Sequence, residues 1–189
     1  MNEAQRLHYF NEFMKPCSLT IPFVDWLIST GFFTAPASTK YHGAYEGGLF
    51  DHSKAVAESL LKLTDGLKLE WKRPESPLIV GMFHDLCKID IYKEVVDNEG
   101  VIMFGMDEPK ERQVHYEHVE PLLKGHGEKS VMLLSQFMTL TPEELFCIRY
   151  HMGAYVPGDV DAFGKAVEKF PNVLYTHTAD MMAARIKGV

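Results

Sequence analysis

The stretch GMFHDLCKID, residues 81–90, decides how this chain is read. Together with Leu78, Ile79 and Val80, its Met82, Phe83, Leu86 and Ile89 make an apolar run that belongs inside a protein. Yet His84 and Asp85 stand side by side within it, and Lys88 follows one turn later. An imidazole, a carboxylate and an ammonium buried together are costly unless they are paired or bound to a metal. The stretch therefore predicts a buried helix over residues 77–88 whose polar positions are compensated from elsewhere in the fold.

Working outward, residues 51–64 read as a helix with Val56, Leu60 and Leu63 on one face, and His52 lies on that same face. Before it, TAPASTKYHGAYEGG reads as a long loop. Residues 3–15 and 22–30 read as two short helices, divided by Pro16 and Pro22. After the central stretch the period changes. In KEVVDNEGVIMFG, residues 93–105, two β-branched and apolar runs flank Asp97-Asn98-Glu99-Gly100, which predicts an inserted hairpin. Helical patterns return over 128–139, 142–152, 160–170 and 172–186. The second of these opens with Thr141 as N-cap, Pro142 at the first position and Glu144 completing a capping box. The expected fold class is all-α, a helical bundle with a small inserted β-hairpin near residues 93–105.

The bulk properties narrow the setting. The 189 residues suit one domain with a real core, and a composition of 46% hydrophobic and 24% charged residues is that of a globular chain. A net charge of −7 argues against non-specific attachment to nucleic acid or to anionic membrane, but a small anion remains open if a bound cation reverses the local field. No apolar run approaches the ~20 residues that span a bilayer, and MNEAQRLHYF lacks the regions of a secretory signal. Cys17, Cys87 and Cys147 are far apart and form no CxxC pair, so a cytoplasmic protein with reduced thiols and no cysteine-held zinc is expected.

The polar residues at inward positions run in the order His52, His84-Asp85, His126, His151, Asp180. Any one of these histidines alone would be read as a core or loop residue. As a set of imidazoles and carboxylates without a thiolate, they suit a first-row divalent metal in a centre that keeps positions open for water or substrate. His8, His115, His118 and His177 read as surface or packing residues, although His177, one turn before Asp180, is placed to reach the site.

This order, H…HD…H…H…D, resembles the HD-domain superfamily of metal-dependent phosphohydrolases. YHGAYEGGLFDHS (41–53) is similar to the family's HHA…GGLLEHS, HDLCK to its HDIGK, and LLKGHGEKS to the segment bearing its fourth ligand. RYHMG is similar to its I-x-x-H-H helix, with Tyr150 in place of one histidine, and YTHTADMMAAR to its closing aspartate helix. The likeness spans residues 41–186, which makes 41–189 the expected core and 1–40 an N-terminal helical accessory segment.

The resemblance implies an all-α bundle around one or two divalent ions, expected here as two, drawn from manganese, iron, cobalt, nickel or zinc. By analogy His52, His84, Asp85 and Asp180 hold the first ion, and His126 and His151 serve a second that Asp85 bridges. Asp85 and Lys88 are the expected catalytic residues, while Lys88 and His42 are the expected substrate contacts. The implied activity is hydrolysis of a small phosphorylated substrate, a nucleotide or related phosphate ester, by metal-activated water. Two alternatives stay open. One is an HD-type phosphodiesterase or exoribonuclease on RNA or cyclic nucleotides, against which stand the acidic balance and the missing Gly-Tyr-Pro signature. The other is a non-catalytic ligand-binding module on the same scaffold.

Overall fold

Asn2 caps α1 (Glu3–Phe13) through reciprocal hydrogen bonds with Gln5, and Pro22 in the first turn opens α2 (Ile21–Ser29). The computed structural model describes residues 1–97, 113–155, 158 and 160–189. The long α3 (Gly48–Leu67) comes next, then α4 (Ser76–Phe83) and a 3-10 turn over Leu86–Asp90. Strands β1 (Tyr92–Asp97) and β2 (Gln113–His118) precede α5 (Gly127–Leu134), α6 (Pro142–Arg149), α7 (Val160–Lys169) and α8 (Asn172–Met181). A π-helical turn, Met182–Lys187, continues α8. The architecture is all-α with a small antiparallel hairpin, as the sequence pattern leads one to expect.

In the hairpin, Tyr92 stands opposite His118 and Asp97 opposite Gln113. The first strand falls where the alternation in residues 93–97 puts it. Its partner begins only at Gln113, and the expected turn residues 98–100 and second run 101–105 lie outside the described residues.

The core is built on phenylalanine. Residues 1–40 supply Phe10, Phe23, Leu27, Phe32 and Phe33, which join Phe50 of α3 and Phe83 of α4 in one buried cluster. Rings meet edge to face, with Phe10 and Phe33 centroids 5.3 Å apart at 82°, and Phe23 lies 5.2 Å from Phe83. Each such ring, fully withdrawn from water, contributes about 2–3 kcal/mol. Phe83 anchors the end of α4 in this cluster, and the next two residues are His84 and Asp85.

The helix expected over 77–88 stops at Phe83. Asp85 takes φ −104° and ψ 21°, outside helical geometry, and the Lys88 N–H donates to the Asp85 carbonyl at 3.0 Å to close a tighter turn. Likewise α6 ends at Arg149, so His151 sits in the turn beyond it, and α5 is shorter than the 128–139 expected. The physical reason is common to both functional ends. In a continued helix, neighbouring side chains splay by about 100°, whereas a helix end lets adjacent residues face one point.

One carboxylate ties these two helices together. Glu144, the capping-box residue of α6, is fully buried. It accepts from the Thr141 N–H at 2.8 Å, from Arg73 Nε and Nη2 at 2.7 and 2.8 Å, and from Ser76 Oγ at 2.7 Å. Ser76 is the first residue of α4, so α4 and α6, each of 8 residues, start from the same anion. They end at His84 and His151, whose ring centroids are 4.8 Å apart. Among the described residues no helix is long and apolar enough to cross a membrane.

Candidate metal centre

Five helices converge on one point, two of them through their C-terminal ends. His52 comes from the second turn of α3, His84 and Asp85 from the end of α4, and His126 from the N-cap of α5. His151 follows α6, and Asp180 comes from the last turn of α8. All six residues that the sequence order singles out are thus brought together. They form three overlapping groups whose ligand atoms lie within 4.8 Å of one another: His52, His84 and Asp85; His84, His151 and Asp180; Asp85, His126 and His151.

Asp85 is the hub. Its Oδ2 lies 3.5 Å from His52 Nε2 and 3.4 Å from His84 Nε2. Its Oδ1 lies 2.8 Å from His126 Nε2 and 3.3 Å from His151 Nε2. Asp180 Oδ1 stands 3.1 Å from His52 Nε2 and 4.0 Å from His84 Nε2. The site deepens from one side to the other. His84 and His151 side chains are 0% exposed, Asp180 14% and His126 30%, which puts His126 at the open rim.

The backbone fixes which ring nitrogen faces inward. Nδ1 of His52 lies 2.9 Å from the Val189 oxygen, that of His84 2.9 Å from the Gly81 oxygen, and that of His151 2.7 Å from the Ile148 oxygen. Each oxygen can only accept, so Nδ1 carries the proton and Nε2 presents a lone pair to the centre. His52 and His84 then face each other with Nε2 atoms 3.2 Å apart, an arrangement that repels unless a cation or proton lies between them. Asp85 Oδ1, His126 Nε2 and His151 Nε2 are buried, and none of the three has a hydrogen-bond partner. These are the atoms a metal would satisfy. Donors bound at about 2.0–2.1 Å stand roughly 3.0–3.4 Å from one another, close to the spacings found here. The residues fit a divalent ion.

Charge at the site is arranged to keep both carboxylates ionised. Burial opposes ionisation of Asp85, but Lys88, His84 and His126 outweigh it and hold its carboxyl well below the usual range. Asp180 is also held low, with burial overcome by His52, His84 and His151 when a proton stands in for an ion on their inward nitrogens. Cys87, behind His126, is pushed up to about 12 by burial and then by Asp85, so it remains a thiol and supplies no thiolate.

Lys88 does not stand free on the helical face of His84 and Asp85, because its Nζ pairs with Asp85 Oδ2 at 2.7 Å. Burial disfavours its ammonium, yet the Asp85 carboxylate overrides this and raises its pKa. Lys88→Met is therefore expected to be felt most when no metal is present. Metal-free Lys88→Met should lose about 3 kcal/mol against metal-free wild type, because Asp85 loses its counter-ion, whereas the manganese-loaded pair should differ far less. Denaturant unfolding of all four samples checks this. Equal losses with and without metal would show that Lys88 supports the fold and not the charge of the centre.

Beside the centre lies a cavity of about 340 Å³, lined by His42, His52, Asp85, Lys88, His126 and Asp180. His42 stands at its wall with its ring 5.7 Å from that of His52. Burial, then the nearness of His52, Lys88 and Arg185, lowers its pKa against the pull of Asp180, so it is neutral at pH 7. The sequence reading passed over Tyr41, Tyr92, Met152, Tyr155 and Arg185, which line the same cavity. Only position relative to a ligand marks them: Tyr155 is four residues past His151 and Arg185 five past Asp180. His177, one turn before Asp180, also reaches the cavity and holds the His151 turn. Its Nδ1 lies 2.7 Å from the His151 carbonyl, and its ring fills the space a side chain at Gly153 would need, where φ is +60°.

Comparison of the chain with protein-family models, with curated proteins and with solved structures returned no match in any of the three.

Proposed function

We propose that this centre belongs to a metal-dependent phosphohydrolase acting on a small phosphate ester, a nucleotide among the candidates. The observation that carries the proposal is the set of inward Nε2 lone pairs around two ionised carboxylates, with three buried polar atoms left without partners. His52, His84, Asp85 and Asp180 would hold one ion, and His126 and His151 a second shared through Asp85. When bound, such ions supply an acidified water and a Lewis acid for phosphoryl oxygens.

The chain's own residues supply the rest. Asp85, ionised and shared by four imidazoles, keeps the ligand set anionic enough for divalent ions. Lys88 reaches the cavity wall while paired with Asp85, where its charge can stabilise a phosphoryl group in transit. Neutral His42 offers a lone pair or an N–H at the wall for a substrate oxygen. Phosphate is favoured over other esters by the motif order and by the Lys88 ammonium in the cavity lining. A cavity of about 340 Å³ beside an acidic chain of net charge −7 favours a small substrate over a nucleic-acid track. A cytoplasmic setting suits the three free thiols.

The test is metal analysis of purified protein followed by a phosphate-release screen over nucleotides and simple esters, before and after chelation. Chelation should abolish release, and manganese, cobalt or nickel should restore it. Full release by metal-free protein, or protein that retains no metal under saturating conditions, would sink the proposal.

A further inference from the structure

One charged side chain on the cavity wall is not used by the centre. Arg185 lines the cavity with Lys88 and Asp180, is exposed, and among the described residues has no ion-pair or hydrogen-bond partner. Lys88, by contrast, is committed to Asp85 at 2.7 Å. The backbone that carries Arg185 is fixed. It lies in the π-helical turn Met182–Lys187, where Lys187 Nζ donates to the Ala55 carbonyl at 3.1 Å, and the Val189 oxygen just beyond meets His52 Nδ1 at 2.9 Å. Both partners belong to α3, the helix of His52.

The cavity has a gradient of depth. Side chains of Asp85, Lys88 and Asp180 are 3%, 12% and 14% exposed, while Arg185 stands in solvent. Arg185 is five residues beyond Asp180, about 7 Å along the helix axis. Met181, Ala184 and Tyr155, the last 64% exposed, line the same cavity. The lining thus combines a deep His/Asp floor, apolar and aromatic residues, and an exposed guanidinium without an ion-pair partner among the described residues. A planar guanidinium receives a carboxylate or a phosphate through two parallel hydrogen bonds.

We propose that Arg185 is a specificity residue that binds a second anionic group on the substrate, distal to the phosphate held at the His/Asp centre. The identity of the first group rests on the phosphohydrolase reading above. The substrate class is then a phosphate monoester with an apolar or aromatic body and a carboxylate or second phosphate at its far end.

Three non-hydrolysable probes test this by calorimetry on the full chain loaded with manganese: benzylphosphonate, 4-carboxybenzylphosphonate and 1,4-xylylene bisphosphonate. Wild type should bind one or both of the two-ended probes at least about tenfold more tightly than benzylphosphonate. The arm that gains names the distal group as carboxylate or phosphate. Arg185→Gln should erase that preference and weaken benzylphosphonate far less, and Arg185→Lys should restore part of it. Equal binding of all three probes to wild type overturns the proposal. An equal loss for all three in Arg185→Gln also overturns it, because Arg185 would then touch the shared phosphonate. Phosphate release from phenyl phosphate is read separately, beside release from 4-carboxyphenyl phosphate and 1,4-phenylene bisphosphate. Absence of release from all three, with the binding preference intact, would overturn the hydrolytic reading and leave the role of Arg185 standing.

Discussion

Asp85→Ala is expected to empty the centre while leaving a folded chain. Its two oxygens lie between 2.7 and 3.5 Å from Lys88 and from four imidazoles, so among the described residues no other side chain reaches as many members of the site. Wild type should carry about two ions per chain, the complement suited to in-line displacement at phosphorus. The variant should fall to a small fraction of that. Phosphate release should drop by about a thousandfold or more, ~4 kcal/mol of barrier. Replacing His126 and His151 together should remove only one ion, because His52, His84 and Asp180 still stand with Asp85. Metal analysis and phosphate release on the same samples check both statements. An Asp85→Ala protein that keeps its metal would show that the imidazoles alone hold the ion. Wild type saturating at one ion would decide for a mononuclear centre.

The second large effect lies at a glycine. A Cβ on Gly81 would meet Ala57 of α3 at 2.4 Å from Cα and 2.7 Å from N, both backbone atoms that cannot rotate away. Gly81 therefore sets how closely α3 and α4 cross, and with it the spacing of His52 and His84. Gly81→Ala is expected to lose about 3 kcal/mol, the upper part of the overpacking range, even though alanine gains about 1 kcal/mol of helix propensity. Gly66 in α3 is the control, since a Cβ there meets nothing within 4 Å. Gly66→Ala should gain about 0.5–1 kcal/mol. Denaturant midpoints of the two variants should move in opposite directions. A Gly81→Ala midpoint at or above that of wild type would show that the crossing relaxes freely.

What was legible in the sequence was local or periodic. The Thr141-Pro142-Glu144 start of α6 was readable because a capping box involves residues only three apart. The six residues of the centre were readable because polar groups in apolar helical patterns demand compensation, and their order carried a resemblance. The helix end after Phe83 was not readable. The apolar run continues to Ile89, and the turn is chosen by what Asp85 meets in three other elements. The partner of β1 was missed for a similar reason. Strand pairing is settled between segments, and the alternation in 93–97 cannot say that Gln113 stands opposite Asp97. Arg185 and Tyr155 carry no local signal, because lining a cavity is a property of the packed molecule alone.

The shared anchor at Glu144 also bears on how this chain can change over generations. From Ser76 to His84 is eight residues, and from Glu144 to His151 seven, each close to two turns of helix. The two arms act as a matched pair of gauge blocks, zeroed at one carboxylate and read at the two imidazoles. Adding or dropping one residue in either arm would swing its histidine by about 100° and shift it by about 1.5 Å. Substitutions can accumulate along these arms, but insertions and deletions cannot. Changes of length are confined to segments that carry no such measure.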